Sequence, residues 1–468
     1  MQLDPAPYLL DGAWVPGPTV PVIDVVDPSD DALVGRIPVG GPADVDAAVA
    51  GAVKAAAAWA RTSPGERTSL LKAAARDLRD RVDEIAELQA REGGKPMGDS
   101  RGGVEAGIGT LEQYAELGQL HRGRALQGSY EATDVMRWEP RGVVAVLTPW
   151  NDPVAIALQG LGAALAAGNA VVFKPSERTP LSGALVAEVL AAHLPAGVLQ
   201  LLHGDGRTGA PLAAHPDVDV VYHVGSSVTG AAIRRATAET GAHAVLEGGG
   251  KDACLVDAGV DPAWAAQQVA LGAFANAGQI CVSVERVYVH EAVAEAFLDA
   301  LVRQAGSFEI GPLVDRRQRE VVEDHVASAV ADGARVLAGG VTPDGAGAWY
   351  TPTVLVGCTD DMTLMRDETF GPVAAVRVVS SFDEGLAAAA RSTYGLAATV
   401  LTPSMEHAQR AARELPVGTV KVNAVFGGAP GGSATPGRGT GQGFGYGPEL
   451  LDELSRCKVV HWEPAQVG

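Results

Sequence analysis

Hydrophobic and polar positions change rhythm near residue 140. Upstream, apolar residues in 43–60 (ADVDAAVAGAVKAAAAWA) and 65–92 recur at helical spacing. This predicts two amphipathic helices, divided by Ser63-Pro64 and stopped by Gly93-Gly94. A third helical pattern covers about 103–119, and residues 124–139 alternate around Gly128 as an exposed hairpin would.

Downstream, short aliphatic runs at 142–147, 170–173, 198–202 and 218–224 are separated by helix-length segments. Buried strands alternating with helices predict a doubly wound parallel sheet. A second series begins after about 250, with a strand at 252–256, a helix at 262–275, a strand at 284–289 and a helix at 291–305. It continues through strands near 372–378, 397–401 and 418–422. The fold class is therefore α/β, with two α/β domains. The glycine-rich stretch 427–446 reads as a loop packed near the domain junction, and 455–462 (SRCKVVHW) as a final edge strand.

The uncharged run 153–173 has the length of a membrane span, but Gln159, several glycines and Gly168-Asn169 interrupt it. It reads as a buried helix, a turn and a buried strand. Of the 468 residues, 47% are apolar and 20% charged, a globular balance. The net charge of −20 argues against nucleic acid as a partner, because phosphate neutralisation requires excess cations. Four scattered cysteines without a CxxC pair suggest neither a disulfide framework nor a zinc ribbon. The absence of HExxH or other ligand spacing among the ten histidines predicts no metal. Nothing near Met1 reads as a secretory leader, and the expected compartment is the cytoplasm.

Candidate chemistry lies in four segments. FANAGQICVSV (274–284) sets one cysteine, Cys281, in a small-residue loop between a helical pattern and a strand. Taken alone, it reads as a buried, inert thiol. VLEGGGK (245–251) places Glu247 after an apolar run and before three glycines that permit close backbone approach. TPWNDP (148–153) ends the first aliphatic strand, where open α/β sheets bind ligands. Asn151 there offers a side-chain amide to an oxyanion, or simply makes an Asx turn. FKPSE (173–177) leaves a buried strand with a lysine and an acid that would bracket a ribose.

Together these segments resemble the aldehyde dehydrogenase superfamily, from about residue 8 to the C-terminus. The matching motifs, in the family's order, are Pro149-Trp150-Asn151, Lys174-Pro175-Ser176-Glu177, Gly225-Ser226 to Gly230, Glu247-Gly248-Gly249, Gly278-Gln279-Ile280-Cys281 and Glu368-Thr369-Phe370-Gly371-Pro372. Glu247 precedes Cys281 by 34 positions, the separation of hydrolytic members. The resemblance implies that Cys281, a thiol of ordinary pKa, attacks the aldehyde carbon, while Asn151 holds the oxyanion. Hydride passes to NAD, and Glu247, with a raised pKa, activates the water that hydrolyses the thioester.

It also implies a cofactor site made from Trp150, Lys174, Ser176, Glu177, Gly206, Gly225, Ser226, Gly230, Gly248, Glu368 and Phe370. The pyrophosphate would meet the N-terminus of a helix at 228–239. The Glu177 carboxylate favours NAD over NADP by repelling a 2′-phosphate. The implied division is 1–118 with 138–248 for NAD binding, 249–454 for catalysis, and 119–137 with 455–468 as a small β oligomerisation element forming a homodimer or homotetramer. A small aldehyde is the expected partner, with no membrane. The alternatives are a CoA-acylating member, against which Glu247 argues, and a catalytically silent NAD-binding relative.

Five departures from the family stand out. Asp152 replaces an aromatic residue. It is expected either to line the substrate tunnel and favour a polar or cationic aldehyde, such as an amino aldehyde, or to cap the helix at 153–167. Gly248 replaces a leucine and is expected to loosen the nicotinamide pocket. Gly160 and Arg456 stand where relatives carry a lysine and a glutamate that relay protons behind the base. Pro430-Gly431-Gly432 replaces Phe-Gly-Gly, removing an aromatic wall.

Overall fold

The computed structural model describes residues 4–19, 21–428 and 432–465. The first sheet is built on five parallel strands in the order Leu199–Leu201, Ala170–Lys174, Val143–Leu147, Val220–Val224, His243–Glu247. Val143–Leu147, Ala170–Lys174 and Val220–Val224 are buried at every position, because helices cover both faces of the sheet. The chain reverses direction across the sheet between Val143–Leu147 and Val220–Val224, opening a crevice at their carboxyl ends. The N-terminal strands Tyr8–Leu10 and Ala13–Val15 extend one edge. A separate hairpin pairs Val22–Val26 with Leu33–Pro38. These N-terminal strands lie outside the sequence expectation.

The uncharged run resolves into helix Pro153–Ala167, a left-handed Gly168 (φ 95°) and strand Ala170–Lys174. Pro153 starts the helix where no amide hydrogen is needed, and Gly168 ends it where a side chain would be strained. Asn169 closes the turn, accepting from Gly142 N (2.9 Å) and donating to Leu454 O (3.0 Å). Among the described residues, no helix is long and apolar enough to cross a membrane. The single helix expected over 65–92 is two, Pro64–Asp80 and Val82–Gly93, because Arg81 leaves helical geometry (φ −111°, ψ 15°). The third is longer than expected, Met97–Leu120.

The second sheet runs Arg335–Ala338, Thr353–Val356, Val373–Val379, Val284–His290, Asp252–Val256, Ala397–Leu401, Thr419–Val422. All neighbours in it are parallel except the first pair. The glycine-rich stretch adds one strand to the first sheet and forms a separate two-stranded ribbon. Gly437–Arg438 pairs with Tyr394–Gly395, and Gly441–Gln442 adds antiparallel to His243–Glu247. A Cβ on Gly441 would lie 1.9 Å from Leu246 O, so this approach requires glycine. Ser455–Trp462 pairs in full register with Thr133–Pro140, which also pairs with Arg124–Leu126. It forms one outer edge of that three-stranded sheet, with Val459 and Trp462 exposed.

Candidate active site

A cavity of about 750 Å³ opens at the strand ends of the first sheet and reaches Cys281. Of the residues singled out in the sequence, Trp150, Asn151, Lys174, Ser176, Glu177, Gly206, Gly225, Ser226, Gly248, Cys281, Glu368 and Phe370 line it. Gly230 does not; it sits one turn into helix Ser227–Thr240, donating to Ser226 O (2.9 Å). Glu247 ends its strand at Gly248 and is close enough to disfavour the Cys281 thiolate.

The Cys281 loop is held by unusual backbone. Asn276 and Ala277 adopt left-handed φ values of 50° and 54°, and Gly278 follows at 71°. For alanine this conformation is costly and persists only when the surroundings enforce it. A Cβ on Gly278 would stand 2.0 Å from Gly371 O, which brings the cysteine loop against the Phe370 loop. Gln279 ties the loop down through Oε1, which accepts from Val314 N (2.9 Å). Asn151 Nδ2 donates to Gln279 O (3.1 Å), and Asn276 Nδ2 to Asn151 O (3.2 Å). The candidate oxyanion donor and the candidate nucleophile are thus joined by direct hydrogen bonds between their segments.

Burial pushes the Cys281 thiol up, and the charges of Glu247, Asp252 and Glu368 push it further. The ordinary thiol expected from sequence is corrected: three carboxylates converge here from separate elements. Burial also raises Glu247, as expected for a carboxyl beside glycines in an apolar setting.

Along the cofactor candidates, Ser226 caps helix Ser227–Thr240, accepting from Thr229 N (3.2 Å) and turning the helix N-terminus toward the cavity. Thr148 Oγ1 is buried on the cavity wall without a partner among the described residues. Lys174 is buried, its Nζ donating to Pro175 O (2.8 Å) and Gly204 O (2.9 Å), which leaves one hydrogen free. Trp150 meets Phe370 edge-on, with centroids 5.3 Å apart, and carries the Arg178 guanidinium 5.2 Å from its centroid. Arg178 went unnoticed in the sequence, although it directly follows Glu177; nothing but packing pairs it with Trp150.

A second support was also missed. Buried Glu285 accepts from Thr369 N (2.8 Å), Phe370 N (2.9 Å) and Lys251 Nζ, and so fixes the loop that carries Glu368 and Phe370. Phe370 itself is left-handed at φ 54°. Glu368 Oε1 accepts from Gly250 N (2.9 Å), and Gly249 is glycine because a Cβ would meet Glu368 Oε2 at 2.2 Å.

The structure places four of the departures. Asp152 occupies the N-cap position but makes no capping bond; it pairs with Lys95 Nζ at 3.2 Å, outside the cavity lining. Gly248 leaves no loose space, because a Cβ there would meet Thr440 O at 2.4 Å and Ser227 Oγ at 2.6 Å. Arg456 is exposed on the last strand; the C-terminal residue against the general-base candidate is Gly445, whose Cβ would lie 2.5 Å from Glu247 Oε2. Gly160 admits the Tyr222 ring, at 2.7 Å from a built Cβ. Residues 430 and 431 lie outside the described residues.

Cys281 lines a strand-end cavity of this α/β chain, and known proteins share the fold throughout. Residues 14–460 match the model of the aldehyde dehydrogenase family. Peroxisomal aminoaldehyde dehydrogenase 2 of Malus domestica is 36% identical over 447 residues, 90% of this chain and 89% of that protein. The solved structure of 3,6-anhydro-L-galactose dehydrogenase in complex with NAP has a TM-score of 0.95 at 32% identity, covering 98% of this chain and 100% of that one. The NAD+ complex of an aldehyde dehydrogenase from Bacillus cereus has a TM-score of 0.95 at 31% identity, covering 98% and 97%. The chain belongs to the aldehyde dehydrogenase family, enzymes that oxidise aldehydes to acids.

Proposed function

We propose that this enzyme oxidises an aldehyde to the free carboxylic acid with a nicotinamide dinucleotide, using Cys281 as nucleophile, Asn151 as oxyanion donor and Glu247 as general base. The observation that carries the reading is the single cavity shared by Cys281, Asn151, Glu368 and the strand-end residues Lys174, Ser176 and Glu177, with Glu247 close enough to disfavour the thiolate. The cavity is of ligand-binding size. The free amides of a 14-residue helix and the unpartnered Thr148 hydroxyl suit a pyrophosphate and its ribose. When bound, the dinucleotide supplies the hydride acceptor.

The chain's own residues do the rest. Burial and the neighbouring carboxylates favour the neutral Cys281 thiol, which releases its proton to solvent before the sulfur attacks. Sulfur then adds to the carbonyl carbon. The Asn151 amide exchanges its carbonyl partner for the new oxyanion. After hydride leaves, a thioester remains, and Glu247 deprotonates the water that cleaves it. Glu247 speaks for water rather than coenzyme A as acyl acceptor. Glu177 on the cavity wall favours NAD over NADP by charge. The four free cysteines suit a reducing cytoplasm.

A three-part division accompanies this reading: 1–118 with 138–248 for cofactor, 249–454 for catalysis, and 119–137 with 455–468 for assembly. The open edge at Ser455–Trp462 suits pairing into a homodimer or homotetramer. The test is an NADH-production screen over aliphatic, aromatic, amino and carboxylated aldehydes, with NADP in parallel. Acid should accumulate without coenzyme A, and Cys281→Ala should be silent. Turnover by Cys281→Ala, or a requirement for coenzyme A, would overturn the mechanism.

A further inference from the structure

Burial raises the Glu247 carboxyl, and no hydrogen bond or opposite charge from a described residue offsets it. Its orientation therefore depends on what packs against it, and the Gly445 backbone lies so close that a Cβ there would stand 2.5 Å from Oε2. The Gly445 segment is held by its carbonyl, which accepts from Tyr222 Oη (3.2 Å) and from Gln159 Nε2. Gln159 Nε2 also donates to Tyr222 Oη (2.8 Å), closing a three-membered cluster.

Three elements meet there. Tyr222 belongs to the strand beside that of Glu247, in register two positions before it (Tyr222↔Val245, Val224↔Glu247). Gln159 and Gly160 belong to helix Pro153–Ala167. The buried ring fits only because residue 160 lacks a side chain; a Cβ would stand 2.7 and 2.8 Å from two ring carbons. Burial and the nearby Glu247 charge both oppose ionisation of Tyr222, so its hydroxyl keeps the proton it donates.

We propose that Tyr222 and Gln159 are positioning residues for the general base: by gripping the Gly445 carbonyl they hold that backbone against Glu247 and confine its carboxylate to the direction from which it takes a proton from water. This rests on the reading of Glu247 as the base that hydrolyses the thioester. Neither residue lines the cavity, and their effect belongs to deacylation alone.

The experiment follows the acyl-enzyme directly. The protein is mixed with NAD and an aldehyde it oxidises, quenched at intervals, and the acylated fraction is measured beside the NADH burst. Tyr222→Phe should lengthen the acyl-enzyme lifetime about three- to tenfold, the scale of one lost hydrogen bond, and leave the burst rate unchanged. If deacylation limits turnover, kcat and KM then fall together at constant kcat/KM.

Hydroxylamine should restore turnover. Its nitrogen attacks the thioester carbon, the Cys281 sulfur leaves as thiolate, and a hydroxamic acid forms without need of Glu247. Gln159→Leu is the second variant and should act in the same direction. A lifetime within about twofold of wild type in both variants overturns the proposal, being smaller than one hydrogen bond explains. So does a slowed burst that hydroxylamine does not rescue, since that marks a scaffold defect. Glu247→Gln serves as the control. If it lengthens the lifetime while the other two do not, only the positioning role fails; if it does not, the general-base reading fails first.

Discussion

Removing one charge from the support under the Phe370 loop should be felt in both stability and cofactor binding. Glu285→Gln changes little in shape. In the native protein Oε1 accepts from Phe370 N, while Oε2 accepts from Thr369 N and Lys251 Nζ. An amide has one acceptor oxygen, so whichever way it turns, its NH₂ faces a donor. Lys251, its side chain 0% exposed, also loses the carboxylate it is paired with. Losing one partner of such a pair costs about 3–5 kcal/mol. The loop holding Glu368 and the left-handed Phe370 is released, so KM for the dinucleotide should rise alongside. Urea unfolding and initial rates at varied cofactor measure the two effects. Lys251→Met combined with Glu285→Gln should recover part of the stability, because the stranded charge is gone, without recovering KM. If Glu285→Gln alone costs less than about 1 kcal/mol and leaves KM unchanged, the pair does not hold the loop, and this account of the site is wrong.

Other outcomes follow from single positions. Asp152→Phe should leave the kcat/KM ratio between cationic and aliphatic aldehydes unchanged, because Lys95 already neutralises the acid; a ratio falling about tenfold or more would restore Asp152 as a substrate contact. It should also lower the urea midpoint, because Lys95, with a side chain 9% exposed, loses its partner. His203 is pushed down to about 3 by burial and then by the Lys174 charge, so the unfolded chain binds its proton at higher pH than the native one. Its share of stability is complete above about pH 6.5 and is lost progressively as pH falls toward 3. His203→Leu should flatten the pH dependence of the urea midpoint in that window, and an unchanged slope would refute the assignment.

Much of the frame was written in the order of residues. Period-two and period-3.6 patterns depend on neighbours a few positions apart, so the strands at 143–147, 170–174 and 220–224 and the helix between 153 and 167 were legible before any coordinates. The residues that line the cavity were legible through the family resemblance of their motifs, since each segment taken alone is weak. What the tertiary structure alone decided lies in contacts between distant segments. Asp152 chose Lys95 over its own helix end, 57 positions away. Arg178 found the Trp150 ring, and Glu285 found the amides of 369 and 370. Gly445 came to the place expected of Arg456, because residues 449–453 form a short helix that carries Arg456 onto the outer strand. A residue's identity limits which partners it accepts. Which partner is within reach depends on how elements far apart in the chain pack, and the resulting burial and converging charges raised the Cys281 thiol.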